Sequence, residues 1–131
     1  MNIAQLLTPK SAVAWLSITD TVRDAFDHFE TYELGAAPLL HWNGRYVGTV
    51  TEADLRRHIA NMVDRSVAAA TPLAKVERRS RNAAVTVDCS MARLVEQATA
   101  HPFVPVVDDA ARFLGIVDRR RIFETRLPSA A

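Results

Sequence analysis

The chain carries a single cysteine in 131 residues, Cys89. No intrachain disulfide can form, and a reducing compartment is the expectation. It has no surplus of charge either. Sixteen basic residues stand against 15 acidic ones, a net charge of +1, which gives no global pull toward nucleic acid or an anionic membrane. No apolar run approaches the roughly 18 residues needed to span a bilayer. The opening MNIAQLLTPK is too short and too polar for a signal peptide, so a cytoplasmic protein is expected. The catalytic vocabulary is equally thin. There is no Walker-type phosphate loop, no GxGxxG and no Ser/His/Asp signature. His28, His41, His58 and His101 fall on different predicted elements, none at ligand spacing from Cys89 or from each other, so no metal site is expected. Cys89 lacks a nearby base or orienting group and receives no nucleophilic role.

What the chain does have is a core and a repeat. Apolar residues make up 49% and charged residues 24%, ordinary values for a globular protein that needs no staples. Val22, Ala25, Phe26 and Phe29 follow the i, i+3, i+4, i+7 spacing of one helix face, and Met91, Leu94, Val95 and Ala98 repeat it 69 residues later. Asp20 or Thr21 can cap the first helix, and Asp88 or Ser90 the second. APLLHWNGRYVGTV then aligns with VPVVDDAARFLGIV at an offset of 67, matching Pro38 to Pro105, Arg45 to Arg112, Tyr46 to Phe113, Gly48 to Gly115 and Val50 to Val117.

Each copy reads strand, helix, strand, hairpin turn, strand, helix. The predicted elements are 12–18, 21–32, 37–41, 45–50 and 52–61 in the first copy. In the second they are 83–87, 90–99, 104–107, 112–117 and 119–126. Asn43-Gly44 is the strong hairpin signal, because both residues tolerate positive φ; Asp108 to Ala111 is the weaker one. The copies occupy residues 1–61 and 82–127, joined by 62–81, and 128–131 reads as a frayed tail. A copy of this size is marginal alone, so the two are expected to pack sheet to sheet and share one core.

This pattern resembles a tandem CBS-domain pair, or Bateman module. The likeness rests on two proline-led strands, Pro38-Leu39-Leu40 and Pro105-Val106-Val107. Two strand ends complete it, Val47-Gly48-Thr49-Val50-Thr51 and Leu114-Gly115-Ile116-Val117-Asp118, each followed by a helix. The resemblance implies an α/β fold of two β-α-β-β-α motifs with pseudo-twofold symmetry, a homodimer, and a stand-alone bacterial regulator rather than an enzyme. It implies an adenine nucleotide (AMP, ADP, ATP or cyclic di-AMP) as regulatory ligand and an unidentified protein partner; the lack of a long apolar run predicts no membrane contact, and the charge balance makes nucleic acid an unexpected partner. The alternative is a ligand-free dimerisation or protein-interaction scaffold.

The family also implies where the ligand sits, in clefts between the copies. Cleft one would use Thr51 and Asp54 at a helix start, opposite Asn82, Ala83, Ala84, Phe103 and Val104, with the carboxylate on the ribose hydroxyls and the helix N-terminus toward phosphate. Cleft two departs from the pattern, because Asp118 and Arg121 stand where threonine and aspartate are expected. There Arg119 and Arg120 would hold phosphate, opposite Ala12, Val13, Ala14, Gly35, Ala36 and Ala37.

Each of these features has a plainer reading. Thr51 with Asp54 matches a capping box. Asp54 and His58, at i, i+4, can pair on one helix face. Arg119 to Arg121 can be a solvated helix face, and Arg78, Arg79 and Arg81 a solvated loop. Trp15 reads as core or dimer contact before it reads as a base-stacking surface. Trp42 reads as a hairpin flank.

Overall fold

The computed structural model describes residues 2–126, so the tail expected at 128–131 lies outside the described residues. The helices are α1 (Ile3–Leu6), α2 (Val22–Tyr32), α3 (Glu52–Ala60), α4 (Arg65–Ala69), α5 (Met91–Ala100) and α6 (Arg119–Arg126). The strands are β1 (Thr8–Pro9), β2 (Leu16–Ser17), β3 (Ala36–Leu40), β4 (Tyr46–Thr51), β5 (Val85–Thr86), β6 (Phe103–Val107) and β7 (Phe113–Asp118). They form a mixed α/β fold of two sheets, ordered β2-β3-β4 and β1-β7-β6-β5. The duplication is visible in the registers. In each copy a short strand runs parallel to the proline-bearing strand, which pairs antiparallel with the next one. The register slips at equivalent places, Leu39/Leu40 and Val106/Val107.

The packing units cross the repeat boundaries. One compact unit gathers residues 14–81; the other gathers the chain up to Val13 and from Asn82 onward. The first unit buries Leu16, Val22, Ala25, Phe29, Ala37, Leu39, Val50 and Leu55 together with Leu73 and Val76, which come from the segment joining the copies. That joining segment is held by backbone bonds from Val22 N–H to the Thr71 carbonyl and from Leu73 N–H to the Asp20 carbonyl. The second unit buries Val85, Leu94, Ala98, Val104, Val106, Val117 and Ile122, and takes Ile3 and Leu6 from the N-terminal helix. Each core is thus completed by chain outside its own repeat.

Local chemistry explains the elements. Thr21 and Asp24 form a reciprocal capping box at the start of α2, and the Ser90 hydroxyl caps α5. The predicted helix faces are the buried ones: Val22, Ala25 and Phe29 in α2, Leu94 and Ala98 in α5. The first strand of each copy is shorter than expected, two residues in place of 12–18 and 83–87. Residues 10–12 are drawn into a 3-10 turn. After Ser17 the chain folds back at once, with Ser17 N–H on the Asp20 carboxylate and Asp20 N–H on the Ser17 carbonyl. The first hairpin also differs from a two-residue turn. His41 to Gly44 form the turn, and Gly44 alone takes positive φ, at 87°. In the second copy the matching residue is Ala111, at φ 64°.

Candidate functional site

In the first unit, β4 ends at Thr51 and α3 begins at Glu52. Thr51 Oγ1 accepts the Asp54 N–H at 3.1 Å and Asp54 Oδ2 accepts the Thr51 N–H at 3.0 Å, a complete capping box. The other carboxylate oxygen, Oδ1, accepts from Arg57 Nη1 at 3.1 Å and from the Arg79 N–H at 3.3 Å. Asp54 is 1% exposed. A buried carboxylate persists when donors surround it, and here three donors from helix, cap and joining segment do so. The structure thus brings Thr51 and Asp54 together as a cap that also ties the joining segment to α3.

The i, i+4 pairing of Asp54 with His58 does not form. Arg57, one residue earlier, takes the carboxylate because its longer fork reaches Oδ1 from i+3. His58 Nε2 is left buried with no hydrogen-bond partner among the described residues. The joining arginines are not all solvated. Arg79 and Arg81 are exposed, but Arg78 lies over Gly48, where an added Cβ would stand 3.1 Å from its Nε. The Arg78 charge is also felt at Tyr46, whose phenol burial pushes up to about 12. The Tyr46 hydroxyl bonds to Thr49 Oγ1 at 2.8 Å. Trp42 is 82% exposed and Trp15 38%.

On the other side of the predicted cleft one, Asn82, Ala83, Ala84, Phe103 and Val104 all belong to the second unit. Asn82 is buried and its Nδ2 donates to the Phe103 carbonyl at 2.9 Å, which pins the chain before β5 to the start of β6. Phe103 and Val104 are buried, and Val104 is part of that unit's core. Ala83 is exposed and Ala84 half-buried.

The second helix start is built differently. Asp118 ends β7, and its Oδ1 accepts the Arg120 N–H at 2.9 Å. The Arg119 N–H goes to the Pro102 carbonyl at 3.0 Å, as the Glu52 N–H goes to the Gly35 carbonyl at 2.9 Å in the first copy. Arg121, in the place of Asp54, donates to the Gln5 carbonyl at 3.3 Å. The guanidinium groups of Arg119 and Arg120 have no hydrogen bond or ion pair among the described residues. Of the remaining cleft-two residues, Ala12 and Val13 belong to this unit, where the 10–12 turn packs against β7. Ala14, Gly35, Ala36 and Ala37 belong to the first unit, with Ala37 fully buried.

Five residues that line one cavity were missed by sequence reasoning: Arg57, Asn61, Met62, Lys75 and Glu77. Lys75 and Glu77 share a cavity of about 200 Å³ with Asp54, Arg57, His58, Asn61 and Met62. They lie in the joining segment, where no periodicity or motif announces which face turns inward. Burial pushes the Cys89 thiol away from the thiolate form. Among the described residues no group of three potential metal ligands gathers, and no helix is long and apolar enough to cross a membrane.

Comparison with known proteins agrees with this architecture. The family model for the CBS domain matches residues 3–61 and 73–127. No curated protein sequence matches. Among solved structures, the CBS domains of a transcriptional regulator from Streptococcus pneumoniae share 26% identity at a TM-score of 0.74, covering 95% of this chain and 98% of that one. CbpB of Listeria monocytogenes, solved in complex with c-di-AMP, shares 20% identity at 0.81, covering 93% and 92%. CBSX2, solved in complex with AMP, shares 19% at 0.77, covering 95% and 94%.

Proposed function

The chain belongs to the CBS domain family, and we propose that it is a regulatory module that binds an adenine nucleotide and passes its occupancy to a protein partner. The family is generally regulatory and non-catalytic, and two structural neighbours were solved with c-di-AMP and with AMP. The observation that carries the reading is the pair of uncommitted guanidiniums, Arg119 and Arg120, on the first turn of α6. Arginine forks and a helix N-terminus both favour phosphate oxygens. Asp118 already accepts the Arg120 N–H, which leaves the two side chains free for a ligand. Ala12 and Val13 of the same unit are offered to the rest of the nucleotide. Thr51 and Asp54 are the weaker pair, because the carboxylate is already filled by Thr51, Arg57 and Arg79. A homodimer is the proposed signalling form. Ligand shifts its state only by differential affinity.

The test is thermal unfolding against AMP, ADP, ATP and cyclic di-AMP. At 100 times its dissociation constant a ligand adds about 2.7 kcal/mol, a shift of roughly ten degrees for a domain of this size. A shift with one nucleotide, lost in Arg119→Ala and Arg120→Ala, supports the proposal. Flat curves across the panel sink it and leave the scaffold reading, which the exposed Trp42, Tyr32, Val63 and Val67 favour.

A further inference from the structure

We propose that the first unit carries a second binding site, for a small zwitterion of the α-amino-acid class, in the cavity between α3 and the joining segment. Its walls are Asp54, Arg57, His58 and Asn61 from α3 and its C-cap, Met62 just after, and Lys75 and Glu77 from the joining segment. All of them belong to one compact unit. The size limits the occupant. About 200 Å³ is room for several waters, since one takes roughly 30 Å³. Pockets for drug-sized ligands begin at about 300 Å³. A molecule of few heavy atoms fits this volume.

Charge decides the class. Asp54 is filled by three N–H donors and offers little more. Arg57 commits Nη1 to Asp54 and keeps the rest of its donor fork. Lys75 and Glu77 line the same cavity, yet neither makes an ion pair among the described residues. The lining therefore sums to zero, with Arg57 and Lys75 against Asp54 and Glu77, and holds an uncommitted charge of each sign. A simple anion would meet the Glu77 carboxylate and the negative end of the α3 dipole. A simple cation would meet Lys75 and Arg57. A ligand with a carboxylate and an ammonium satisfies both, with charge-assisted bonds at each end. The Asn61 side chain has no partner among the described residues, and its amide supplies a polar contact such a ligand takes up.

The experiment is ligand titration followed by NMR, reading the His58 ring nitrogens and the Asn61 side-chain amide. The probes are glycine, L-alanine, L-serine and L-methionine, with acetate and methylammonium as single-charge controls. The expected result is saturable shifts with at least one amino acid and neither control. Lys75→Met and Glu77→Gln should each weaken binding by about tenfold or more, the scale of one charge-assisted hydrogen bond. Both residues are exposed, so their variants should keep the wild-type melting temperature, and Arg119→Ala should leave amino-acid binding intact. Three results overturn the inference: no shift up to roughly 10 mM, binding of acetate or methylammonium as tight as that of any amino acid, or an unchanged affinity in Glu77→Gln.

Discussion

The two repeats, offset by 69 residues at the first helix and by 67 from the proline-led strand on, share nearly the same hydrogen-bond plan, yet their helix starts have diverged into different chemistry. In the first, Thr51 and Asp54 close on each other, and Asp54 also takes Arg57 and Arg79. In the second, Asp118 caps alone, Arg121 reaches the Gln5 carbonyl, and Arg119 and Arg120 are left open. One copy has spent its polar groups on holding its own structure, and the other has kept them available. The glycine before each helix start tells the same story. Gly48 is covered by the Arg78 side chain, whereas Gly115 is covered by the backbone of β1.

The sharpest way to break this comparison is Asp54→Ala. It removes the acceptor for three donors and strands Arg57, so it should cost about 3 kcal/mol in urea unfolding, at the low end for breaking a buried pair because Arg57 keeps some solvent. Arg121→Ala, at the equivalent place, loses one exposed bond and should cost under about 1 kcal/mol. If Asp54→Ala instead leaves stability unchanged and weakens nucleotide binding, the first helix start is the ligand site and the contrast is inverted.

The glycine pair follows. A Cβ on Gly115 would stand 2.1 Å from the Thr8 carbonyl oxygen, and backbone cannot step aside without unpairing β1 from β7. Gly115→Ala should cost about 1–3 kcal/mol, the range for overpacking. Gly48→Ala meets the far part of a flexible arginine at 3.1 Å and should cost under about 1 kcal/mol. Equal losses would show that Arg78 is as fixed as a strand.

The duplication, the element order and the inward helix faces were legible because they rest on periodicity, which one sequence carries in full. Val22, Ala25, Phe29, Leu94 and Ala98 point inward as their spacing requires. Residues that complete each core were not legible. Ile3 and Leu6 precede the first repeated strand and Leu73 and Val76 lie in the joining segment, so their burial depends on which unit the N-terminal helix and the joining chain pack against. The site was half legible for a related reason. Thr51 and Asp54 are a recognisable pair at a strand-to-helix junction, but their three-residue spacing is common to a cap and a ligand clamp. The spacing also gave no sign that Asp54 takes the Arg79 N–H, 25 residues away in sequence. His58 shows the limit in miniature. Its spacing from Asp54 permits a pair, and a longer neighbour one residue earlier took the partner.

The hairpins give a smaller, opposite effect. Gly44 and Ala111 occupy the same turn position, both with positive φ. Left-handed backbone costs a residue with a Cβ about 1–2 kcal/mol, and glycine gives back about 0.5–1 kcal/mol in chain entropy. Ala111→Gly should therefore stabilise by several tenths of a kcal/mol up to about 1, and Gly44→Ala should destabilise by a similar amount, both read by urea unfolding.

The last contrast changes with pH. Tyr46 and Phe113 are equivalent, and only the first has a proton to lose. Burial raises the Tyr46 phenol from 10.0 to about 12, against the opposing pull of Thr49 and Arg78. The folded state therefore holds this proton more tightly than the unfolded chain does. Its contribution to stability is whole below pH 10 and is lost as pH rises from 10 toward about 12. Tyr46→Phe should start about 1 kcal/mol less stable at pH 8, since Thr49 loses a hydrogen bond. The gap should then close on raising the pH through that window, because the variant has no phenol to ionise. Parallel stability curves for the two proteins would mean that the Tyr46 hydroxyl is open to solvent, and that the two strands differ by a hydrogen bond alone.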